Sequence, residues 1–133
     1  MSHDLFEAAR AAAAFSHSPY SSFPVGAAIR TPDGRVFSGA NVENLAFPQG
    51  WCAETSALAQ MIMGGAKQVA EIAIFAPRAA ACPPCGGCRQ KLAEFSDGSA
   101  KIHLCDETGI VQTITLSELL PFTFKVNLAN NNS

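Results

Sequence analysis

Residues 52–65 read CAETSALAQMIMGG and residues 71–90 read EIAIFAPRAAACPPCGGCRQ. The first stretch is rich in helix formers from Cys52 to Met63 and stops at Gly64-Gly65, a natural C-terminal end, which predicts a helix. The second opens on a short apolar run, Ile72 to Ala76, closed by Pro77, which reads as a buried strand. It continues into Arg89 to Phe95, a helix beginning near Cys85. Outward on the N-terminal side, Val25 to Ile29 and Arg35 to Phe37 read as two strands of a hairpin across Thr31-Pro32-Asp33-Gly34. Before them, Leu5, Ala9, Ala12, Ala13 and Phe15 recur at helical spacing, giving a helix over residues 4–16 with Asp4 and Glu7 as a capping box. On the C-terminal side, Ile102 to Leu104 and Ile110 to Ile114 read as strands, and Ser117 to Leu120 as a short helix ended by Pro121. Alternating strands and helices without repeat or linker predict one α/β domain over residues 1–126, a sandwich with helices covering a mixed sheet. A loose polar tail is expected over residues 127–133.

Composition narrows the function classes. Nine basic against eleven acidic residues give a formal charge of −2, with no basic run and no interleaving of aromatic and basic residues, so a nucleic-acid substrate is disfavoured. The longest apolar stretches, such as Ala11 to Phe15, are too short to span a bilayer, and the N-terminus lacks a basic-then-apolar signal pattern, which predicts a soluble, cytoplasmic chain with no membrane partner. Charged residues make up only 15% of the chain, below the roughly 25% of typical soluble domains. Surface hidden between copies of the chain accounts for that scarcity, as does an unusually apolar core.

The five cysteines are Cys52, Cys82, Cys85, Cys88 and Cys105. An odd number in a cytoplasmic chain argues against a disulfide framework and for metal binding or catalysis. CAE at residues 52–54 and PCGGC at residues 84–88 offer three thiolates with a carboxylate close by. Zinc takes sulfur ligands tetrahedrally, and three protein ligands leave a fourth position for water. Cys85 pairs with either Cys82 or Cys88 in a C-x-x-C spacing. Pro83-Pro84 favours polyproline geometry, which spreads Cys82 and Cys85 about 9 Å apart at ~3.1 Å per residue, whereas Gly86-Gly87 can fold tightly. The ligands expected are therefore Cys52, Cys85 and Cys88. Both groups fall at helix starts, where free N–H groups favour thiolates. Glu54, in the first turn after Cys52, is placed to carry a proton without being a ligand.

PYSSFPVGAA (19–28), NVEN (41–44), CAE (52–54), PCGGCRQ (84–90) and ELLP (118–121) together resemble the small cytidine deaminase family over about residues 4–124. The resemblance implies a three-layer α/β/α sandwich with a five-stranded mixed sheet and one Zn²⁺ per subunit. It implies hydrolytic deamination of free cytidine and deoxycytidine to uridine and deoxyuridine plus ammonia, in pyrimidine salvage, with zinc-activated water as nucleophile at C4 and Glu54 as proton shuttle. For the substrate it implies Asn41 and Glu43 at the ribose hydroxyls, Phe23 beside the base and the backbone of Ala53 at the cytosine amino group. It further implies a homotetramer with shared active sites, in which Phe124 reaches over the base of a neighbouring subunit.

The chain departs from the family pattern at two places. Thr55 stands where many members have an Arg that offsets the thiolate charge; Arg89, next to Cys88, is the expected substitute. Phe47 stands where a Tyr is frequent. A deaminase of a modified nucleoside of the blasticidin S type shares the cysteine arrangement, but NVEN and FPVGAA lean towards ordinary nucleosides. A structural zinc module would need a closed metal site and no hydrolysis.

Overall fold

The structure is a computed structural model, and it describes residues 2–79 and 81–124. The elements in order are α1 (Ser2–Ala13), β1 (Gly26–Arg30), β2 (Val36–Ala40), a single 3₁₀ turn (Phe47–Gln49), α2 (Ala53–Met63), β3 (Glu71–Phe75), α3 (Gly86–Glu94), β4 (Lys101–Asp106), β5 (Gly109–Thr115) and α4 (Leu116–Leu119). The strands form one sheet in the order β2-β1-β3-β4-β5. Only β3 and β4 run parallel, joined by the α3 crossover; every other neighbouring pair is antiparallel. The five-stranded mixed sheet is as expected.

Two-residue alternation along the central strands creates two apolar faces. Ala27, Ile29, Ile72, Ile74, Ile102 and Leu104 point to one side and form a core with Ala57, Leu58 and Met61 of α2 and Leu92 of α3. Ala28, Ala73, Phe75 and Cys105 point to the other side and pack on Leu5, Phe6, Ala9 and Ala13 of α1. The chain is thus a three-layer sandwich, with α1 on one face and α2 and α3 on the other. Two glycines set how closely the layers meet. A Cβ at Gly26 would stand 2.0 Å from the Ala9 carbonyl oxygen, and one at Gly39 would stand 2.5 Å from the Ala57 nitrogen. Any side chain there would push a helix off the sheet.

The largest differences from the expected element ends are at α1 and β2. Helix α1 starts at Ser2, so Asp4 lies in its first turn and makes an ion pair with Arg30 Nη2 at 2.7 Å instead of capping the helix. The same helix stops at Ala13, and Phe15, counted on its apolar face, is 84% exposed beyond it. Strand β2 continues through Ser38, Gly39 and Ala40, small residues whose pairing with β1 carries the strand where their side chains give no apolar signal. The tail expected over residues 127–133 lies outside the described residues. No helix among the described residues is long and apolar enough to cross a membrane.

Candidate metal centre and substrate cavity

Cys52 and Cys85 occupy the same structural position on two helices. Each is the residue just before the first helical turn, with extended backbone (φ −73°, ψ 157° and φ −65°, ψ 166°) and no side-chain capping bond. Both sulfurs are therefore free to point between the helices, beside N–H groups and partial positive charge that favour thiolates. Gly86 and Gly87 open the first turn of α3 and carry Cys88 round to the same point. The ligand atoms of Cys52, Cys85 and Cys88 lie within 4.8 Å of one another. Cys88 is 1% exposed.

This spacing fits zinc. Three sulfurs bonded to one tetrahedral zinc at ~2.3 Å stand about 3.8 Å apart, and Cys52 Sγ and Cys85 Sγ are 3.9 Å apart. Without a cation three thiolates so close cannot all be charged. A hydrogen bond shared with Cys88 pulls the Cys52 thiol below its ordinary value, while the same bond, burial and the neighbouring acids hold Cys88 above it. A divalent ion removes that conflict.

Glu54 follows in the first turn of α2 and is 5% exposed. Burial above all, helped by the negative charge of Cys52, raises its carboxyl to about 7, against the lowering effects of a bond from its own backbone N–H and of Lys91. A carboxyl with that value can accept and release a proton near neutrality. It opens onto a cavity of about 360 Å³ whose wall includes Phe23, Asn41, Glu43, Cys52, Ala53 and Cys85. The structure thus brings every expected site residue round one space, except two. Cys88 lies buried behind the cavity, and Phe124 stands apart with its ring exposed, its backbone N–H and C=O bonded to the side-chain amide of Gln90.

The polar groups of the cavity are held by the loop before β1. Asn41 accepts from the Val25 N–H at 3.0 Å and from the Ser16 hydroxyl, and donates to the Phe23 carbonyl at 2.9 Å. Glu43 accepts from the N–H groups of Tyr20 (2.9 Å) and Ser21 (3.1 Å) and from the Ser21 hydroxyl. The hydroxyl bond is the largest cause of a carboxyl held below its ordinary value, so Glu43 is ionised at neutral pH. Each residue is therefore both a fastener of its loop and a face of the cavity.

Three features escaped the sequence. Cys82 is a half-buried part of the cavity wall, and its thiol is raised by burial and by Glu54. Arg89 does not serve the sulfurs: its Nε donates to the Pro84 carbonyl at 2.9 Å and its Nη1 to the Leu119 carbonyl at 3.0 Å, tying the start of α3 to the end of α4. Instead Lys91, on the next turn of α3, donates to Thr55 Oγ1 at 2.9 Å. A lysine three residues past a cysteine carries no signal until two helices are packed side by side.

Residues 1–104 match the family model described as the cytidine and deoxycytidylate deaminase zinc-binding region. The chain belongs to that deaminase family. A cytidine deaminase of Halalkalibacterium halodurans is 41% identical over 116 residues, covering 87% of this chain and 88% of the relative. The crystal structure of the cytidine deaminase from Burkholderia pseudomallei superposes with a TM-score of 0.88 at 38% identity, covering 93% of this chain and 99% of that one. That from Mycobacterium tuberculosis gives 0.83 at 34% identity, covering 92% and 96%. As in this deaminase family generally, the cofactor is zinc, and the three-cysteine group is where the fold offers a place for it.

Proposed function

We propose that the chain hydrolyses the amino group from C4 of free cytidine and deoxycytidine, releasing ammonia, with zinc held by Cys52, Cys85 and Cys88. The observation that carries this is a buried carboxyl, Glu54, lining the same cavity as Cys52 and Cys85, two of the three clustered sulfurs. Zinc, when bound, supplies Lewis acidity that makes water a nucleophile at neutral pH. Glu54 takes a proton from the attacking water and passes it to the ring N3, then takes the second proton from the hydroxyl now on C4 and delivers it to the departing amine, so that the C4–N bond breaks, the C4 carbonyl forms and ammonia leaves. The balance is one water consumed and one ammonia released. Phe23 packs beside the base, the Ala53 backbone meets the amino group, and Asn41 and Glu43 hydrogen-bond the sugar hydroxyls. A cavity of about 360 Å³ suits a free nucleoside, within the roughly 300–1,000 Å³ of small-molecule sites. A purely structural zinc module has no need of a buried acid over such a space.

The working unit in this reading is a cytoplasmic homotetramer with shared sites. Tyr20, Leu45, Phe47, Trp51, Phe122 and Phe124 are all exposed in the single chain. A second hollow of about 330 Å³, lined by Tyr20, Ser21, Glu43, Asn44, Phe47 and Gly50, adjoins the substrate cavity through Ser21 and Glu43. Apolar surface of this kind, next to an active site, is what a neighbouring copy covers, and Phe124 is the ring it would bring. Thiols kept as metal ligands agree with a reducing compartment.

The test is Glu54→Gln. Metal analysis is expected to find one zinc per chain with an unchanged melting curve, while turnover of cytidine falls by about 10²- to 10⁴-fold. Near-normal turnover by the zinc-loaded variant contradicts the proton-carrying role.

A further inference from the structure

Three thiolates and one Zn²⁺ leave a centre of net charge −1, and the two helix N-termini supply only partial charges. Of the nearby cations, Arg89 is bonded to the carbonyls of Pro84 and Leu119. Lys91 is differently placed. It lies three residues after Cys88 on α3, and Thr55 lies three residues after Cys52 on α2, so on each helix the residue follows the cysteine on the same face. The two side chains meet where the helices pack: Lys91 Nζ donates to Thr55 Oγ1 at 2.9 Å, and Thr55 Oγ1 stands 3.9 Å from Cys88 Sγ. An oxygen that accepts from an ammonium has its own O–H left to donate, and Cys88 Sγ is within reach of it.

We propose that Lys91, acting through the Thr55 hydroxyl, is the positioning residue that balances the charge of the three-thiolate zinc site. This rests on the assignment of Cys52, Cys85 and Cys88 as zinc ligands. The contact through Thr55 matters because Lys91 is exposed: a bare surface charge is screened within about 8 Å at physiological salt, whereas a donated hydrogen bond at the sulfur is not. Such outer partners of metal ligands commonly set metal affinity by about 10- to 100-fold. The arrangement needs both residues, so neither is useful alone.

The experiment measures zinc affinity by competition with a chromophoric chelator, for the unchanged protein and for Lys91→Met, Lys91→Arg, Thr55→Val and the Lys91→Met/Thr55→Val pair. Lys91→Met and Thr55→Val are each expected to bind zinc ~10-fold more weakly, the pair no more weakly than either single variant, and Lys91→Arg within about 3-fold of the unchanged protein. Zinc affinity in Lys91→Met equal to that of the unchanged protein, or losses that multiply in the pair, overturns the proposal. If Thr55→Val does not fold, Lys91→Met against Lys91→Arg decides alone, since both change only an exposed side chain. An unchanged protein that binds no zinc overturns the ligand assignment and this proposal with it; zinc bound equally by all variants overturns this proposal alone.

Discussion

Cys82 and Cys88 are each three residues from Cys85, and the fold separates them completely. Pro83-Pro84 keeps Cys82 on the cavity wall, while Gly86-Gly87 lets the chain turn Cys88 beneath α2. Cys88→Ser is therefore expected to abolish stoichiometric zinc binding, and Cys82→Ala to keep one zinc per chain; metal analysis after dialysis distinguishes them, and loss of zinc from Cys82→Ala would place the wrong cysteine at the metal. That Cys88, and not Cys82, gathers with Cys52 and Cys85 was legible because proline and glycine favour opposite backbone geometries. The partner of Thr55 was not. Arg89 is adjacent to a ligand in sequence, but side chains one apart on a helix point in different directions, and the position three apart, Lys91, is the one that faces Thr55. Likewise Asn41 and Glu43 could be placed near the sugar only through resemblance; their bonds to Val25, Phe23, Tyr20 and Ser21 depend on a loop with no periodic signal.

At the level of elements, the two helices that carry the ligands and the sheet beneath them were readable from apolar spacing, because nearly every inward position of β1, β3 and β4 is aliphatic. The opposite face holds a polar group that the spacing hid. His103 of β4 is 4% exposed, and its Nε2 lies 2.7 Å from Glu71 Oε1 of β3 while Arg30 Nε of β1 lies 3.1 Å from Glu71 Oε2. A lone histidine in IHLC gives no hint of partners on two other strands. Burial raises the Glu71 carboxyl, but His103 and Arg30 outweigh it and hold the group below its ordinary value of 4.5. The unfolded chain then takes up a proton near 4.5 that the folded chain resists, so the stability due to Glu71 is complete above that pH and disappears as the pH falls through the lower folded value. Glu71→Gln is expected to cost about 1–3 kcal/mol at pH 7 and to lose less than the unchanged protein on going from pH 5 to pH 3. Thermal melts across that range check it; parallel curves for the two proteins would show that the group does not titrate in this way.

For the whole molecule, the sparse charge of the sequence and the exposed aromatic residues of the fold point the same way. Phe122 and Phe124 are 93% and 74% exposed, a costly arrangement unless another copy covers them. Phe124→Ala is expected to raise KM for cytidine by about 3- to 10-fold with zinc content unchanged, and light scattering of the unchanged protein should report four chains. An intact tetramer with unchanged KM after removal of residues from Phe122 onward would count against shared sites. What the sequence could not show was where the apolar residues outside the core would gather, since Tyr20, Leu45, Phe47 and Trp51 come from segments with no regular period. The reaction itself is tested by one ultraviolet assay: zinc-loaded protein incubated separately with cytidine, deoxycytidine and free cytosine. Steady conversion of both nucleosides with release of ammonia is expected, and far slower conversion of cytosine, which lacks the sugar that Asn41 and Glu43 are proposed to hold. No conversion of either nucleoside by protein carrying one zinc per chain would contradict this reaction.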